Sequence, residues 1–173
     1  MMTAKNIAFI GMMGSGKTTI SKALSRALPG FEYVDIDAKI EKESGKKITE
    51  IFSQHGEEYF RILENQEIQK VCAGQNQIIS LGGGAFENSQ NREILLKSAT
   101  TIYLKASAQE IYNRIKNEVH RPLLAKDFLP EDIEKIIQKR KNNYEKATIM
   151  INTDGKSPDC IVKEILGVLN DKS

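Results

Sequence analysis

Short apolar runs alternate with longer amphipathic stretches along this chain. The apolar runs predict five β-strands, over Ile7–Ile10, Phe31–Ile36, Gln77–Leu81, Thr100–Leu104 and Ala147–Ile151. Between these runs, apolar residues recur at helical spacing, and each such stretch predicts an amphipathic helix. Strands that alternate with helices are typical of a parallel sheet with right-handed crossover connections. We therefore predict an α/β fold built on a five-stranded parallel sheet.

The amphipathic stretches predict helices whose ends are marked by glycine, proline or capping residues. One helix follows the first strand, and others are predicted over residues 38–44, 48–54, 56–73, 92–97, 109–118, 131–146 and 156–169. Thr49 is a candidate cap for the helix that begins at Ile48. The segment His120–Asp132 is irregular and contains two prolines, and a loop of this length usually has a function, such as that of a lid.

Length and charge limit the classes of protein to which this chain can belong. At 173 residues the chain suits a single domain with a sizeable core. Its 25 basic and 23 acidic residues nearly balance, so the composition predicts no nucleic-acid or membrane partner. No apolar run is long enough to span a membrane, and the first residues lead straight into a strand, so we expect no signal peptide. Cys72 and Cys160 match no metal-binding spacing and predict reduced thiols in a cytoplasmic protein.

The glycine-rich turn after the first strand carries the clearest chemical signal. The stretch Gly11–Thr18 has the spacing G-x-x-x-x-G-K-[ST] of a phosphate-binding loop, with a strand before it and a helix after it. Glycines let backbone N–H groups approach an anion, and the N-terminus of the following helix adds partial positive charge. The lysine of such a loop reaches the β- and γ-phosphates, and its threonine ligates Mg²⁺. The predicted nucleotide-binding residues of this loop are Gly14, Ser15, Gly16, Lys17, Thr18 and Thr19.

Two carboxylates follow the second predicted strand. Asp35 and Asp37 are two residues apart, so in an extended segment their side chains would point to the same side. Ligands of open α/β sheets bind beyond the carboxyl ends of the strands, where two carboxylates would hold Mg²⁺ and accept a proton. The alternative, that Asp37 only caps the following helix, is equally consistent with the sequence.

Three later positions are candidates for substrate contacts. Arg61 is either an ordinary solvated charge on a helix or a planar fork for a carboxylate. The glycines at 82–84 end the third strand, and they form either a flexible turn or a place where the backbone approaches a ligand. Arg121 lies in the predicted lid, where an arginine suits a phosphate-bearing substrate.

Taken in chain order, these motifs resemble those of the shikimate kinases, a family of small-molecule kinases with a phosphate-binding loop. The resemblance extends over about residues 6–169, nearly the whole chain. Its motifs are the loop Gly11–Thr18, Asp35 with Asp37, E-x-x-F-R-x-x-E at Glu57, Phe60, Arg61 and Glu64, Gly82-Gly83-Gly84, Arg121-Pro122-Leu123-Leu124, and R-x-x-x-Y-x-x-A at Arg140, Tyr144 and Ala147. The loop alone occurs in very many proteins, whereas the full set is specific.

The resemblance implies a fold and a reaction. The fold would be the three-layer α/β/α fold of P-loop kinases, as one domain over residues 1–173, with a substrate-binding insertion at about 37–73 and a lid at about 119–130. The phosphate loop would follow a central strand. The reaction would transfer the γ-phosphoryl group of ATP to the 3-hydroxyl of shikimate, on the route to chorismate and the aromatic amino acids. ATP would be the co-substrate, Mg²⁺ the metal, and the enzyme a monomer.

The resemblance also implies roles on the acceptor side of the site. Asp37 would bind the substrate hydroxyls and act as the base, with Lys17 as a second catalytic residue. Arg61 and Arg140 would grip the shikimate carboxylate. The three glycines Gly82, Gly83 and Gly84 would belong to the substrate site, with Gly83 contacting the ring through its backbone.

On the nucleotide side, the resemblance implies that Asp35 holds Mg²⁺ through water, beside Thr18. Arg121 would reach the phosphates from the lid and take part in catalysis, and Arg114 would lie over the adenine. The chain departs from the family after the fifth strand, where residues 152–156 lack the arginine that many members carry. Lys156 is the substitute available there for the adenine contact.

Two other functions are consistent with parts of this pattern. A P-loop kinase for gluconate or a nucleotide is one alternative, although an arginine clamp for a carboxylate disfavours a nucleobase substrate. A non-catalytic nucleotide-binding module is the other, and the intact Lys17, Thr18, Asp35 and Asp37 argue against it.

Overall fold

The structure is a computed structural model that describes residues 6–116 and 129–171. Its strands are β1 (Asn6–Ile10), β2 (Glu32–Asp35), β3 (Gln77–Ser80), β4 (Ala99–Lys105) and β5 (Ile149–Asn152). They form one parallel sheet in the order β2-β3-β1-β4-β5. The predicted five-stranded parallel sheet is confirmed, and β1, which leads into the phosphate loop, is its central strand.

Helices cover both faces of this sheet. They are α1 (Lys17–Ala27), α2 (Ile36–Ser44), α3 (Ile48–Cys72), α4 (Ser89–Ser98), α5 (Ala108–Ile115), α6 (Pro130–Tyr144) and α7 (Pro158–Asp171), with a short 3-10 helix at Ala85–Glu87. Among the described helices, none is long and apolar enough to cross a membrane. The three-layer α/β/α architecture expected of a P-loop kinase is therefore present.

The alternation of side chains along β1 builds a separate core on each face. Ile7 and Phe9 point into a cluster formed with α1 and α7. Ala8 and Ile10 point the other way, into a larger cluster formed with α2, α3 and α4. Because β1 is buried on both faces, it reads in the sequence as a continuous apolar run rather than an alternating one. The phosphate loop that follows is thus anchored at the centre of the molecule.

A third apolar cluster lies above the sheet and fixes the helices that flank the phosphate loop. Met12 packs there with Ile111 and Ile115 of α5 and Ile133 of α6. The helices α5 and α6 carry Arg114 and Arg140, two of the predicted site residues. The cluster therefore ties the position of both arginines to that of the loop.

The junction of β2 and α2 differs from its predicted form. The strand ends at Asp35 rather than Ile36, and Asp37 lies in the first turn of α2 rather than in an extended segment. Asp35 is the capping residue, since its Oδ1 accepts a hydrogen bond of 3.0 Å from the backbone N–H of Ala38. The alternative that Asp37 caps this helix is therefore wrong.

The next helix also begins differently from its prediction. Thr49 does not cap α3. Instead, the Glu50 carboxylate accepts a 2.7 Å hydrogen bond from the backbone N–H of Lys47, the residue before the first turn. The two helices predicted on either side of His55 are confirmed: α3 consists of two helical segments that meet at a kink at Gly56, where φ is 81° and ψ is 175°. Such a backbone conformation is open mainly to glycine.

The predicted lid at about residues 119–130, including Arg121, lies almost wholly outside the described residues. The helix predicted over 109–118 is described as far as Ile115, and α6 begins at Pro130. The last strand runs over Ile149–Asn152, two residues later at its start than predicted.

Candidate active site

A cavity of about 910 Å³ opens at the carboxyl ends of β1, β2 and β3. This is the place where ligands bind in open α/β sheets. The phosphate loop and the start of α1 form its floor, the β2–α2 junction and α3 form one wall, and the end of β3 and Arg114 complete it. The predicted site residues that line the cavity are Gly14, Gly16, Lys17, Thr18, Thr19, Asp35, Asp37, Gly82, Gly83 and Arg114.

The phosphate loop has the tight backbone that its glycines predict. A Cβ atom at Gly11 would lie 2.7 Å from the carbonyl oxygen of Leu104, and one at Gly14 would lie 2.6 Å from Ile115, so only glycine fits. Lys17 begins α1, and its ammonium donates hydrogen bonds of 2.8 Å to the carbonyl oxygens of Gly11 and Met12. These bonds hold the charged end of Lys17 across the mouth of its own loop. The loop and the N-terminus of α1 therefore form an anion site with a lysine beside it.

The half-buried Asp37 and the buried Glu64 meet at Gly82. A Cβ atom there would lie 3.3 Å from Oδ1 of Asp37 and 3.3 Å from Oε1 of Glu64. Both oxygens are buried and have no hydrogen-bond partner among the described residues. Burial raises the pKa of Asp37, and the nearby Asp35 raises it further, while Lys17 and Arg61 lower it. Burial likewise raises the pKa of Glu64 against the lowering effect of Arg61.

Arg61 is fixed by two carboxylates on its own helix. Its guanidinium donates to Glu57 at 2.9 Å and to the fully buried Glu64 at 2.9 Å. A Cβ atom at Gly84 would lie 2.8 Å from Nη2 of Arg61. Because both acids hold the plane of the guanidinium in one orientation, Arg61 is a positioned fork rather than a freely solvated charge.

Arg140 is held from the other side of the same turn. Its guanidinium donates a 2.9 Å hydrogen bond to the carbonyl oxygen of Gly83, and the Tyr144 hydroxyl donates to the same oxygen at 2.6 Å. The Tyr144 ring lies fully buried against that of Tyr103, with centroids 4.9 Å apart. The hydrogen bond from Tyr144 therefore holds the Gly83 carbonyl oxygen at the position where Arg140 binds it.

The three consecutive glycines thus have a common explanation. Gly82 faces Asp37 and Glu64, and Gly84 faces Arg61. Gly83 faces Arg140, and a Cβ atom there would also lie 3.3 Å from the backbone nitrogen of Met13. A side chain is therefore excluded at Gly84 and tightly confined at the other two positions. A turn that needed only flexibility would not require glycine at all three positions. The structure gathers an acid and two arginines around this turn, next to the phosphate loop.

The residues predicted for a metal also come together. Thr18 and Asp35 both line the cavity, and the Tyr33 hydroxyl donates a 2.9 Å hydrogen bond to Oδ2 of Asp35. In the described ranges, no group of three His, Cys, Asp or Glu side chains forms a metal cage. Mg²⁺ does not need such a cage, because it prefers a few hard oxygen ligands and completes its shell with water and substrate phosphates. A hydroxyl and a carboxylate beside a phosphate loop fit this ion.

Two residues predicted near the adenine have other partners in the structure. Arg114 lines the cavity, but its guanidinium also donates to the Thr153 carbonyl oxygen at 3.0 Å and to the Ser15 carbonyl oxygen at 3.3 Å. Lys156 forms an ion pair of 2.6 Å with Glu164 on α7 and is not among the described residues that line the cavity. Arg114 thus braces the phosphate loop, and Lys156 pairs with the helix that follows it.

Some lining residues were missed by reasoning from the sequence. Ile48, Thr49, Phe52 and Ser53 form the face of α3 that closes the cavity, and Ser80 lies at the end of β3. The spacing of the first four over two helical turns marks one helix face, but such a pattern reads equally well as a core face. Ser80 gives no signal in the sequence, because only its register opposite Asp35 brings it to the site.

Known proteins of one family match nearly the whole chain. The family model described as shikimate kinase matches residues 13–170. A shikimate kinase from Persephonella marina is 44% identical over 163 residues, which cover 94% of this chain and 98% of that protein. The solved structure of a shikimate kinase from Acinetobacter baumannii in complex with shikimate has a TM-score of 0.91 at 28% identity, and the match covers 99% of this chain and 96% of that one.

A more distant structure shares the fold alone. A gluconokinase from Sinorhizobium meliloti 1021 has a TM-score of 0.65 at 16% identity, with 98% of this chain and 93% of that chain covered. At that identity the match says nothing about the substrate.

Proposed function

Because this chain belongs to the shikimate kinase family, we propose that it is an enzyme that transfers the γ-phosphoryl group of ATP to the 3-hydroxyl of shikimate. The observation that carries the proposal is the glycine turn, which places Asp37, Arg61 and Arg140 beside the phosphate loop. Shikimate is a polyhydroxy acid, and it needs an acceptor for its hydroxyls and cations for its carboxylate. This turn gathers both, and Asp37 lines the cavity together with Lys17.

Phosphoryl transfer depends mainly on positioning and on neutralising charge. Lys17 and the N–H groups at the start of α1 would bind the β- and γ-phosphates, and the Thr18 hydroxyl with the water-linked Asp35 would hold Mg²⁺. When bound, Mg²⁺ supplies positive charge to the phosphate oxygens as the phosphoryl group moves. The remaining loop residues, Gly14, Ser15, Gly16 and Thr19, would bind phosphate oxygens, and Arg121 would add charge from the lid.

Asp37 is proposed as the residue that orients the attacking hydroxyl and takes its proton. Its Oδ1 is buried and has no partner among the described residues, so an acceptor hydroxyl would satisfy it. The raised pKa of Asp37 makes the carboxylate a stronger base than an ordinary aspartate. Lys17 and Arg61 lower that pKa against the larger effect of burial.

Arg61 and Arg140 are proposed to bind the shikimate carboxylate from the two ends of the glycine turn. A guanidinium pairs with a carboxylate through two parallel hydrogen bonds, which adds geometric specificity to charge. Glu57 accepts from Nε and Nη2 of Arg61 and Glu64 accepts from Nη1, and these bonds fix the orientation of the guanidinium. The backbone of Gly83, held by Arg140 and Tyr144, is then placed to contact the ring.

The alternative acceptors are less favoured. Gluconate also carries a carboxylate and hydroxyls, but the gluconokinase match rests on the fold alone. A nucleobase has no carboxylate for the two positioned arginines to bind. A non-catalytic module would have no use for Asp37 opposite Lys17.

The proposal also covers the domain organisation, the adenine contact, the oligomeric state and location of the enzyme, and its partners. The chain is proposed to act as one domain over residues 1–173, with residues 37–73 as the substrate-binding insertion and 119–130 as the lid. Arg114 would lie beside the adenine while bracing the loop. The enzyme is proposed to work as a monomer in the cytoplasm. No nucleic-acid or membrane partner is proposed.

Arg61→Ala and Arg140→Ala should each weaken shikimate binding far more than ATP binding. Losing a charge-assisted contact costs about 1.5–3 kcal/mol, or roughly ten- to a hundredfold in affinity. The dissociation constants of shikimate and of an ATP analogue, titrated separately against each variant, would measure the effect.

The matched control for these variants is Arg26→Ala, which removes an exposed arginine on α1 far from the glycine turn. It should leave both affinities unchanged. If Arg61→Ala and Arg140→Ala lowered the affinities for ATP and shikimate equally, the two arginines would serve the nucleotide or the fold instead of the acceptor.

A further inference from the structure

Tyr33 lies behind the predicted metal site and contacts it through its hydroxyl. It stands on β2 two residues before Asp35, so both side chains leave the strand on the same face. The Tyr33 hydroxyl donates a 2.9 Å hydrogen bond to Oδ2 of Asp35. Tyr33 is half-buried and is not among the described residues that line the cavity. It therefore reaches the site through Asp35 and not through a direct contact with ligand.

Two more hydroxyls of the site lie near this phenol. Burial and Asp35 raise the pKa of Tyr33, whereas the hydroxyls of Thr18 on α1 and Ser80 on β3 both act to lower it. Ser80 stands in register with Asp35 on the neighbouring strand. The phenol of Tyr33 thus lies near oxygen-bearing side chains of α1, β2 and β3.

The ring of Tyr33 is also held in place. The ammonium of Lys22, one helical turn beyond Thr18 on α1, lies 5.4 Å from the centre of the ring. This contact and the hydroxyl fix the side chain at both of its ends. A side chain fixed in this way can hold a neighbour in one orientation.

The Asp35 carboxylate is consequently restrained at both oxygens. Oδ1 accepts from the backbone N–H of Ala38, and Oδ2 accepts from Tyr33. A carboxylate has about four acceptor positions, so each oxygen keeps one for a further donor. A water molecule bound to a cation is such a donor. The carboxylate cannot rotate to meet an ion without giving up one of its two bonds.

We propose that Tyr33 is a positioning residue for the metal, which orients Asp35 to receive hydrated Mg²⁺ with ATP. The inference rests on the proposed magnesium site at Thr18 and Asp35. The hydroxyl fixes Asp35 before the ion arrives, so that binding requires less ordering of the carboxylate. Tyr33 touches neither substrate nor phosphate, and its effect should be confined to the metal.

The test is Tyr33→Phe, which keeps the ring and removes only the hydroxyl. ADP affinity is measured by calorimetry across a Mg²⁺ titration, and again in EDTA. Loss of a hydrogen bond to a positioned carboxylate is expected to raise the Mg²⁺ concentration needed for half-maximal ADP binding by about threefold to tenfold. ADP affinity in EDTA and shikimate affinity should remain as in the parent. Tyr59→Phe, which removes an exposed phenol from α3, is the matched control and should change neither quantity.

A second variant shows whether the effect passes through Asp35. In the Asp35→Asn background, Tyr33→Phe should add little to the change in Mg²⁺ requirement, because residues that act as a unit are not additive. An unchanged Mg²⁺ requirement in Tyr33→Phe would overturn the proposal. So would an equal loss of ADP affinity with and without Mg²⁺, or full additivity of the two substitutions. If Asp35→Asn alone left the Mg²⁺ requirement unchanged, the magnesium site itself would be misplaced, which distinguishes the two failures.

Discussion

Lys17→Ala is expected to leave a folded protein with almost no turnover. Removing a group that stabilises developing charge typically costs about two to three orders of magnitude in kcat, and in phosphoryl transfer such charge is most of what the protein supplies. The Lys17 ammonium donates to the carbonyl oxygens of Gly11 and Met12, and it is one of the few charged groups buried at the loop. Steady-state ADP release with saturating ATP and shikimate would measure the loss.

The matched control is Lys163→Ala, which removes an exposed lysine from α7. It should leave the rate of ADP release unchanged. Circular dichroism and shikimate binding should show that Lys17→Ala retains its fold and its acceptor site, because Lys17 is proposed to serve the nucleotide. Near-normal ADP release by a folded Lys17→Ala protein would remove the phosphate loop from the mechanism.

Asp37→Asn is expected to lower kcat by about two to four orders of magnitude, the range over which general-base catalysis contributes. The substitution keeps the size of the side chain and its ability to accept a hydrogen bond, but it removes the charge and most of the basicity. ATP affinity should change little, since Asp37 faces the glycine turn rather than the loop. If kcat were unaltered and only the KM for shikimate rose, Asp37 would bind the substrate without acting as its base.

The same variant carries an internal control for folding. Burial raises the pKa of Asp37 in the folded state, so the folded protein binds this proton more tightly than the unfolded chain does. The resulting stabilisation is present below the ordinary pKa of an aspartate and is lost as the pH rises through the raised value. Above that value the charged Asp37 is therefore a cost to the fold. Asp37→Asn should melt at the same temperature as the parent or higher, which separates a catalytic defect from unfolding.

The strongest features of the fold and site were predictable because they are local. The phosphate loop follows from the spacing of residues 11–18, and the strands from short apolar runs. The motif that contains Arg61 and Glu64 could be recognised from its spacing in the sequence. The sequence did not show that Glu64 is buried against Gly82. That contact joins α3 to the end of β3, and it exists only once the sheet has assembled.

The pair of aspartates shows where local reasoning fails. Asp35 and Asp37 both reach the cavity, but not because an extended segment points them the same way. Asp35 ends a strand and caps a helix, and Asp37 reaches the site from the first helical turn. The helix begins early because the Asp35 carboxylate accepts the N–H of Ala38, and such a competition between strand and cap is hard to resolve from residue types alone.

Contacts between distant elements could not be inferred at all. Ser80 reaches the site through its register with Asp35, and Thr49, Phe52 and Ser53 reach it because α3 folds back over the loop. Lys156 was expected near the adenine from its position after β5, yet Glu164 on α7 pairs with it. Each of these depends on how elements pack rather than on the order of residues.

The measurement that tests the central claim most directly is ADP release with Mg²⁺ and ATP, compared across shikimate, gluconate and nucleoside monophosphates at equal concentration. A site that pairs the acceptor's hydroxyls and carboxylate should discriminate strongly, because the wrong acceptor leaves buried polar groups unpaired. We expect shikimate to be turned over at least about a hundredfold faster than any other acceptor. Faster turnover of gluconate or a nucleotide, or no ADP release with any of them, would contradict the assignment.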